Sequence, residues 1–309
     1  MATRASSSNL AAHAALVLAN ASWGLISPVI KHLLLMGPIS ALALSGLRIL
    51  GATALFWIVS FAVPSKWLPK EKIARRDWLP IFVSSLLIIT LNQALYIIGL
   101  EYTSPIDSSV VSSTTPIFTM ILAAIFISEP ITRLKGFGVL LGMIGTLMLI
   151  FSEAHTDTHA TNPMLGNSLC LVAQFCAAVY YVFYKGLASR YSAFTLMKWM
   201  FLFSAASYAL PFCIGDLMEV SWAQMPLAGW ADAAFIIVFP TFIAYTIIPF
   251  AQKRLKPTLI SMYNYLQPVF SFIYSAIIGL AVFTFTKSVA IALIFVGVYM
   301  VTQSGKQRR

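Results

Sequence analysis

Polar side chains set at helical spacing inside strongly apolar sequence are the residues of this chain with chemistry to offer. In "SPIDSSVVSSTTPIFTMI" (104–121), Ser109, Ser112, Ser113 and Pro116 recur at intervals of three and four and so share one helix face. "KPTLISMYNYLQPVFSFI" (256–273) presents Ser261, Asn264, Tyr265 and Pro268 in the same arrangement. Four further pairs each mark a single face: Asn20 with Trp23, Asn92 with Tyr96, Gln174 with Tyr181, and Thr241 with Tyr245. Amides that orient polar groups beside aromatic surface suit an amphipathic or aromatic metabolite. The same residues also serve helix packing, where each interhelical hydrogen bond contributes about 0.6–2 kcal/mol. The two prolines remove backbone donors and permit bends, as a gate or as a fixed kink.

The elements that must hold these residues are membrane helices. The chain has 309 residues, 59% apolar and 10% charged, with a mean hydropathy of +0.85, far from a water-soluble globule. Apolar runs near 12–31, 39–61, 78–99, 106–128, 135–152, 164–185, 193–213, 229–250, 257–280 and 287–304 match the length of a spanning helix. They lack the alternation of barrel strands, which predicts an all-α polytopic membrane protein. The first run continues past the signal-peptide-like Ala19-Asn20-Ala21 to Ile30 and is read as the first span. Cys170, Cys176 and Cys213 fall inside runs, so no disulfide framework is implied.

The net charge of +10 is divided among short links rather than gathered into a basic domain, which argues against nucleic acid as a partner. Lys66, Lys70, Lys72, Arg75 and Arg76, then Arg133 and Lys135, Lys185 and Arg190, Lys253, Arg254 and Lys256, and finally Lys306, Arg308 and Arg309, all fall on one side. The opposite links keep Lys31 and Lys287 and are otherwise acidic, so both termini are expected in the cytoplasm, with Trp67 and Trp78 at the inner interface and Trp222 and Trp230 at the outer one. A bacterial inner membrane is the expected home.

Laid over itself at an offset of 152, the chain matches Pro105 with Pro257, Ser109 with Ser261, Pro116 with Pro268, Thr132 with Thr284, Lys135 with Lys287 and Gly145 with Gly297. Near the front of each copy the register slips by two, pairing Asn20 with Gln174 and Lys31 with Lys185. Ten spans therefore divide into repeats at 1–152 and 164–309, joined by an external link at 153–163. An odd number of spans per copy forces the second to enter from the opposite side, giving an inverted pair.

"ANASWGLISPVIK" (19–31), "ISALALSGLRILGATALF" (39–56) and "PIFTMILAAIFISEPITRLKGFGVLLGMIGTLMLI" (116–150) resemble the drug/metabolite transporter superfamily, the EamA-type carriers. The second half keeps "LQPVFSFIYSAIIGL" (266–280) but has Ala281 where that family usually has a glutamate, which tells against a symmetric glutamate pair. The resemblance implies alternating access through a central cavity between two five-helix bundles, for export or exchange of small metabolites.

Arg48 lies about 14 Å inside the second run, near the midplane, where a guanidinium needs partners or water. It is a contact for a substrate carboxylate or phosphate, a conformational lock, or a structural charge on backbone carbonyls. Lys198 is nearer an end and can snorkel. Asp107, Glu129 and Asp232 sit at run ends, Glu129 beside Arg133 and Lys135, so a facilitated or exchange mechanism is at least as well served as proton antiport. His13 and His32 are near ends too. His155, Asp157 and His159 form a weak metal pattern, and no catalytic constellation occurs at membrane depth, so neither metal, cofactor nor enzyme activity is expected.

Neutral or aromatic amino acids and related metabolites fit the lining first. Cationic drugs come second and phosphorylated sugars third, with a passive channel as the rival mechanism. The chain is expected to be a monomer or weak homodimer in a lipid bilayer.

Overall fold

The computed structural model describes residues 2–36, 39–64, 66, 68, 71–103, 105–152, 161–277 and 284–304. Trp67, Lys70, His155, Asp157, His159, Ala281, Lys306, Arg308 and Arg309, discussed above, lie outside these. Among the described residues the chain is helical, with no strand. The rods are α1 (Leu10–Leu34), α2 (Ala41–Ala62), α3 (Arg75–Tyr102), α4 (Asp107–Ile127), α5 (Arg133–Phe151), α6 (Pro163–Phe183), α7 (Ala193–Glu219), α8 (Leu227–Gln252), α9 (257–277) and α10 (Phe285–Ser304). Nine of them are long and apolar enough to cross a bilayer. The exception, α9, is a run of two α-helices, Pro257–Met262 and Gln267–Ile277, around a 3-10 turn at Tyr263–Leu266.

That break has a counterpart. In α4 the helices Pro105–Ser112 and Thr115–Ile127 meet at a turn over 113–114, which the offset of 152 carries to 265–266. Pro116 and Pro268 each follow the break as the second residue of the next helix, where a missing N–H costs nothing. A π-helical stretch, Leu86–Leu91, widens α3, and a second, Ile237–Ile243, widens α8 at the equivalent place. A third, Ala205–Cys213, lies in α7, with no π-helical equivalent in α2.

Helix directions follow from the contacts. A Cβ on Gly138 would meet Gly297 O at 2.8 Å, and one on Gly145 would meet Ala290 O at 2.6 Å, so α5 and α10 run antiparallel with their backbones in contact. α2 and α7 are antiparallel as well. Gly46 faces Cys213, Thr53 Oγ1 donates to Phe201 O (3.1 Å) and Lys198 Nζ donates to Ser60 Oγ (3.1 Å). These pairs are repeat counterparts, and opposite direction is what inversion requires. Lys198 also lies 4.8 Å from the Trp57 ring centre, so its charge is held by an aromatic face.

α1 runs beside α9, through His13 Nδ1 and Tyr263 Oη at 2.5 Å and the Asn20–Gln267 pair, while α4 runs beside α6. The first helix of each half thus packs on the fourth helix of the other. Where α4 ends, Ser128 adopts a left-handed conformation (φ 53°), and Glu129 turns inward to accept from Lys135 Nζ at 2.8 Å. Both side chains of that pair are buried, which makes it a fixed joint rather than a surface contact. The three cysteines are buried thiols.

Candidate functional site

The π-helical turns come first, because they free carbonyls at mid-bundle. Ile88 O in α3 accepts from Tyr245 Oη (3.3 Å), and Pro240 O in α8 accepts from Trp23 Nε1 (2.8 Å). Residues 88 and 240 are 152 apart, so each half offers the same carbonyl to an aromatic residue of the other. In α8 the wide turn also lets Thr241 Oγ1 donate five residues back to Ile236 O (2.7 Å) and accept from Arg48 Nε (3.2 Å).

A cavity opens beside these turns, with about 90 Å³ for the centres of water molecules, room for several. Trp23, Asn92, Tyr96, Ser112, Gln174, Tyr181, Tyr245 and Asn264, expected from spacing, line it together with Arg48, expected from its depth in the second run. A side chamber of about 40 Å³ shares Trp23, Tyr96, Ser112 and Asn264 and adds Ser109, Ser113 and Pro268. Tyr181 and Tyr245 form the floor. They belong to a packed layer that includes Tyr180, Met262, Tyr263 and Tyr265 and fills the end where α1 begins.

Below that layer, Tyr180 Oη donates to Gln252 Oε1 (3.1 Å) and Lys185 Nζ to Leu255 O (2.8 Å). Burial pulls the Lys185 ammonium below its usual range, and the nearby Glu129 opposes this. Tyr191 Oη donates to Asp77 Oδ2 (2.6 Å), and Arg190 pairs with Asp77 Oδ1 (3.0 Å). At the opposite end His32 meets Asp232 at 2.5 Å, and Ser40 Oγ donates to Asp216 (2.7 Å), both at exposed positions. Behind that rim Ile30, Leu33, Leu44, Ile97 and Leu100 belong to a second buried apolar cluster, so each end of the bundle carries packed side chains.

Five of the expected residues do not line the cavity. Asn20 is buried behind it, donating to Leu16 O (2.8 Å) and accepting from Gln267 Nε2 (3.0 Å). Thr241 holds Arg48 instead of facing the cavity. Ser261 bonds Thr258 O (3.0 Å) inside its own helix, and Pro116 is buried in α4. Tyr265 is fully buried with its ring on α5, where a Cβ at Gly142 would lie 2.5 Å from Cδ2. The 3-10 turn is the cause: at three residues per turn, Tyr265 leaves the face that Asn264 keeps.

A family model, the EamA-like transporter family, matches residues 10–151 and again 164–303. The chain belongs to the EamA-like transporter family. Similar proteins include the uncharacterized transporter YetK of Bacillus subtilis (strain 168), 23% identical over 91% of this chain and 84% of its own length. An uncharacterized transporter of Archaeoglobus fulgidus is 26% identical over 91% and 95%, and the WAT1-related protein At2g40900 of Arabidopsis thaliana is 27% identical over 79% and 67%. A crystal structure superposes with a TM-score of 0.73 at 20% identity, over 97% of this chain and 98% of that one, a likeness of fold.

In this EamA-like chain two cavity amides escape the spacing argument, Gln93 and Gln267. The repeat could have found both. Gln93 is the counterpart of Tyr245, and Gln267 of Thr115. The last correspondence is physical: Thr115 Oγ1 donates to Gln174 Oε1 (2.7 Å) just as Gln267 donates to Asn20, and Asn20 with Gln174 is the front-register pair. The chain is a multi-pass membrane transporter of this family, not an enzyme.

Proposed function

We propose that this transporter moves small metabolites, with amino acids and related compounds as the first class, by alternating access through the cavity between its halves, in export or exchange. The observation that carries the reading is that the mid-bundle cavity is lined from both halves and lies between two buried apolar clusters, one towards each end. An inverted pair has two shapes of similar energy, reached when the halves exchange conformations. The front helix of each half clasps the broken fourth helix of the other, so rocking at the two breaks would open one end as the other closes. The repeats at 1–152 and 164–309 are the moving units in this reading, with both termini cytoplasmic and a bacterial inner membrane as the site. The double family match and the coincident breaks, π turns and antiparallel counterparts support that division.

Counterflow in liposomes tests it. Saturable uptake accelerated by unlabelled solute inside is the expected result, with Asn264→Ala reducing it at least several-fold while the protein stays folded. Continuous, non-saturating flux would favour a channel instead.

A further inference from the structure

We infer that the cavity is an anion site: it takes an organic monocarboxylate with an apolar or aromatic body, held through its carboxylate by Arg48. The inference rests on the reading of the cavity as the transport site and reorders its substrate classes, placing the simple carboxylate ahead of the amino acid.

Arg48 is 3% exposed and has one hydrogen bond among the described residues, from Nε to Thr241. That bond fixes the plane of the guanidinium and leaves the two terminal nitrogens with no hydrogen-bond partner among the described residues. They are not among the buried unpartnered atoms, and Arg48 lines the cavity, so they point into it. Every other lining residue of both chambers is uncharged. The described carboxylates are engaged or placed elsewhere. Glu129 meets Lys135, Asp77 meets Arg190, Asp232 meets His32, Asp216 meets Ser40 and Glu71 meets the backbone of Ser192. Glu101, Asp107 and Glu219 sit at or near helix ends.

A charge buried without a counter-charge is unfavourable, and a ligand that neutralises it gains what the empty site lacks. The planar fork of two free nitrogens matches the two oxygens of a carboxylate. Counting charge gives an order. A monocarboxylate leaves the occupied cavity neutral, an amino-acid zwitterion or a neutral amide leaves one positive charge, and an amine leaves two. A doubly charged phosphate overshoots. Trp23, Tyr96, Tyr181 and Tyr245 supply rings for the body, and Asn264, whose amide has no partner among the described residues, offers a second polar contact.

Four probes of one shape decide it: 3-phenylpropionate, 3-phenylpropionamide, phenylalanine and 3-phenylpropylamine, titrated into the purified full chain in detergent at pH 7. The expected result is tightest binding of 3-phenylpropionate, at least about 10-fold over the amide and phenylalanine, with the amine weakest. Arg48→Gln is expected to lose at least about 10-fold for the acid and little for the amide, and Arg48→Lys to fall between. Should Arg48→Gln not fold, Thr241→Val, which frees the guanidinium plane, is expected to weaken the acid selectively, and the wild-type ranking decides alone. Equal or tighter binding of the amide or amine, unchanged acid binding in Arg48→Gln, or binding of none at millimolar concentration overturns the inference. Exchange of phenylalanine in liposomes with no preference for the acid would leave the transporter reading standing. Binding of the acid with no exchange of any probe would retire the cavity as the transport site for such solutes and leave the anion site.

Discussion

α4 and α9 match at the offset of 152 and share the same break and the same proline after it, yet they are filled in opposite ways. α4 is lined with small hydroxyls that bond back into their own helix, Ser112 to Ser108 O, Ser113 to Ser109 O, Thr114 to Val111 O and Thr115 to Ser112 O, and two of them, Ser112 and Thr115, also meet Gln174 of α6. α9 carries Tyr263, Asn264, Tyr265 and Gln267 over the same turn, and three of these four reach neighbours. Tyr263 meets His13, Tyr265 lies on Gly142, and Gln267 bonds Asn20. A break held by small hydroxyls can flex with less repacking than one pinned by rings. The difference assigns unequal work to equivalent helices, with α9 as the fixed wall and α4 as the compliant one.

The sharpest way to break that comparison is to truncate the equivalent pair Tyr265 and Ser113. Tyr265→Ala removes a fully buried ring and is expected to cost about 3–5 kcal/mol, whereas Ser113→Ala is expected to cost under about 1 kcal/mol. Unfolding midpoints in detergent measure both, and equal losses would end the claim that α9 alone is pinned. Tyr265 Oη is buried with no partner among the described residues, so Tyr265→Phe should be neutral or slightly stabilising.

A smaller effect tests the pin from its other side. A Cβ on Gly142 would sit 2.5 Å from Cδ2 and 2.7 Å from Cε2 of Tyr265, so Gly142→Ala is expected to cost about 1–3 kcal/mol by overpacking. In a Tyr265→Ala background the same change should cost almost nothing, because the ring it strikes is gone. A double-mutant cycle reads the coupling, and additive losses would show that Gly142 is constrained by something other than Tyr265.

How much of this was legible beforehand differs between α4 and α9 as well. The apolar runs and the matched prolines announced ten spans and a duplicated helix, because burial in lipid leaves so little freedom in composition. On α4, Ser109, Ser112 and Ser113 reach a cavity as their spacing indicated. On α9 Asn264 lines the cavity while Tyr265 and Ser261 do not, since a helical wheel assumes an unbroken helix and a 3-10 turn rotates the face. Thr241 was found for the wrong reason: it serves Arg48 from a π turn, and a π turn leaves no trace in hydropathy. Gln93 and Gln267 were missed because each was judged on its own helix rather than against its counterpart.

The mildest test concerns the two clasps that join the halves. Asn20 accepts one bond, from Gln267, while its counterpart Gln174 makes two, accepting from Thr115 and donating to Ser112 Oγ (3.2 Å). Each such bond is worth about 0.6–2 kcal/mol. Gln174→Ala is therefore expected to destabilise somewhat more than Asn20→Ala. The gap should stay under about 1 kcal/mol, because Thr115 and Ser112 keep bonds within α4. The two clasps share no partner, so the double substitution should be additive within about 0.5 kcal/mol in thermal unfolding. Counterflow rate is the discriminating readout. If α4 is the compliant wall, loosening its clasp from the partner that does not line the cavity, Thr115→Val, changes the rate more than loosening α9 at Asn20; equal rate changes would mean that both breaks move together and that the pinned helix is pinned only in the shape described.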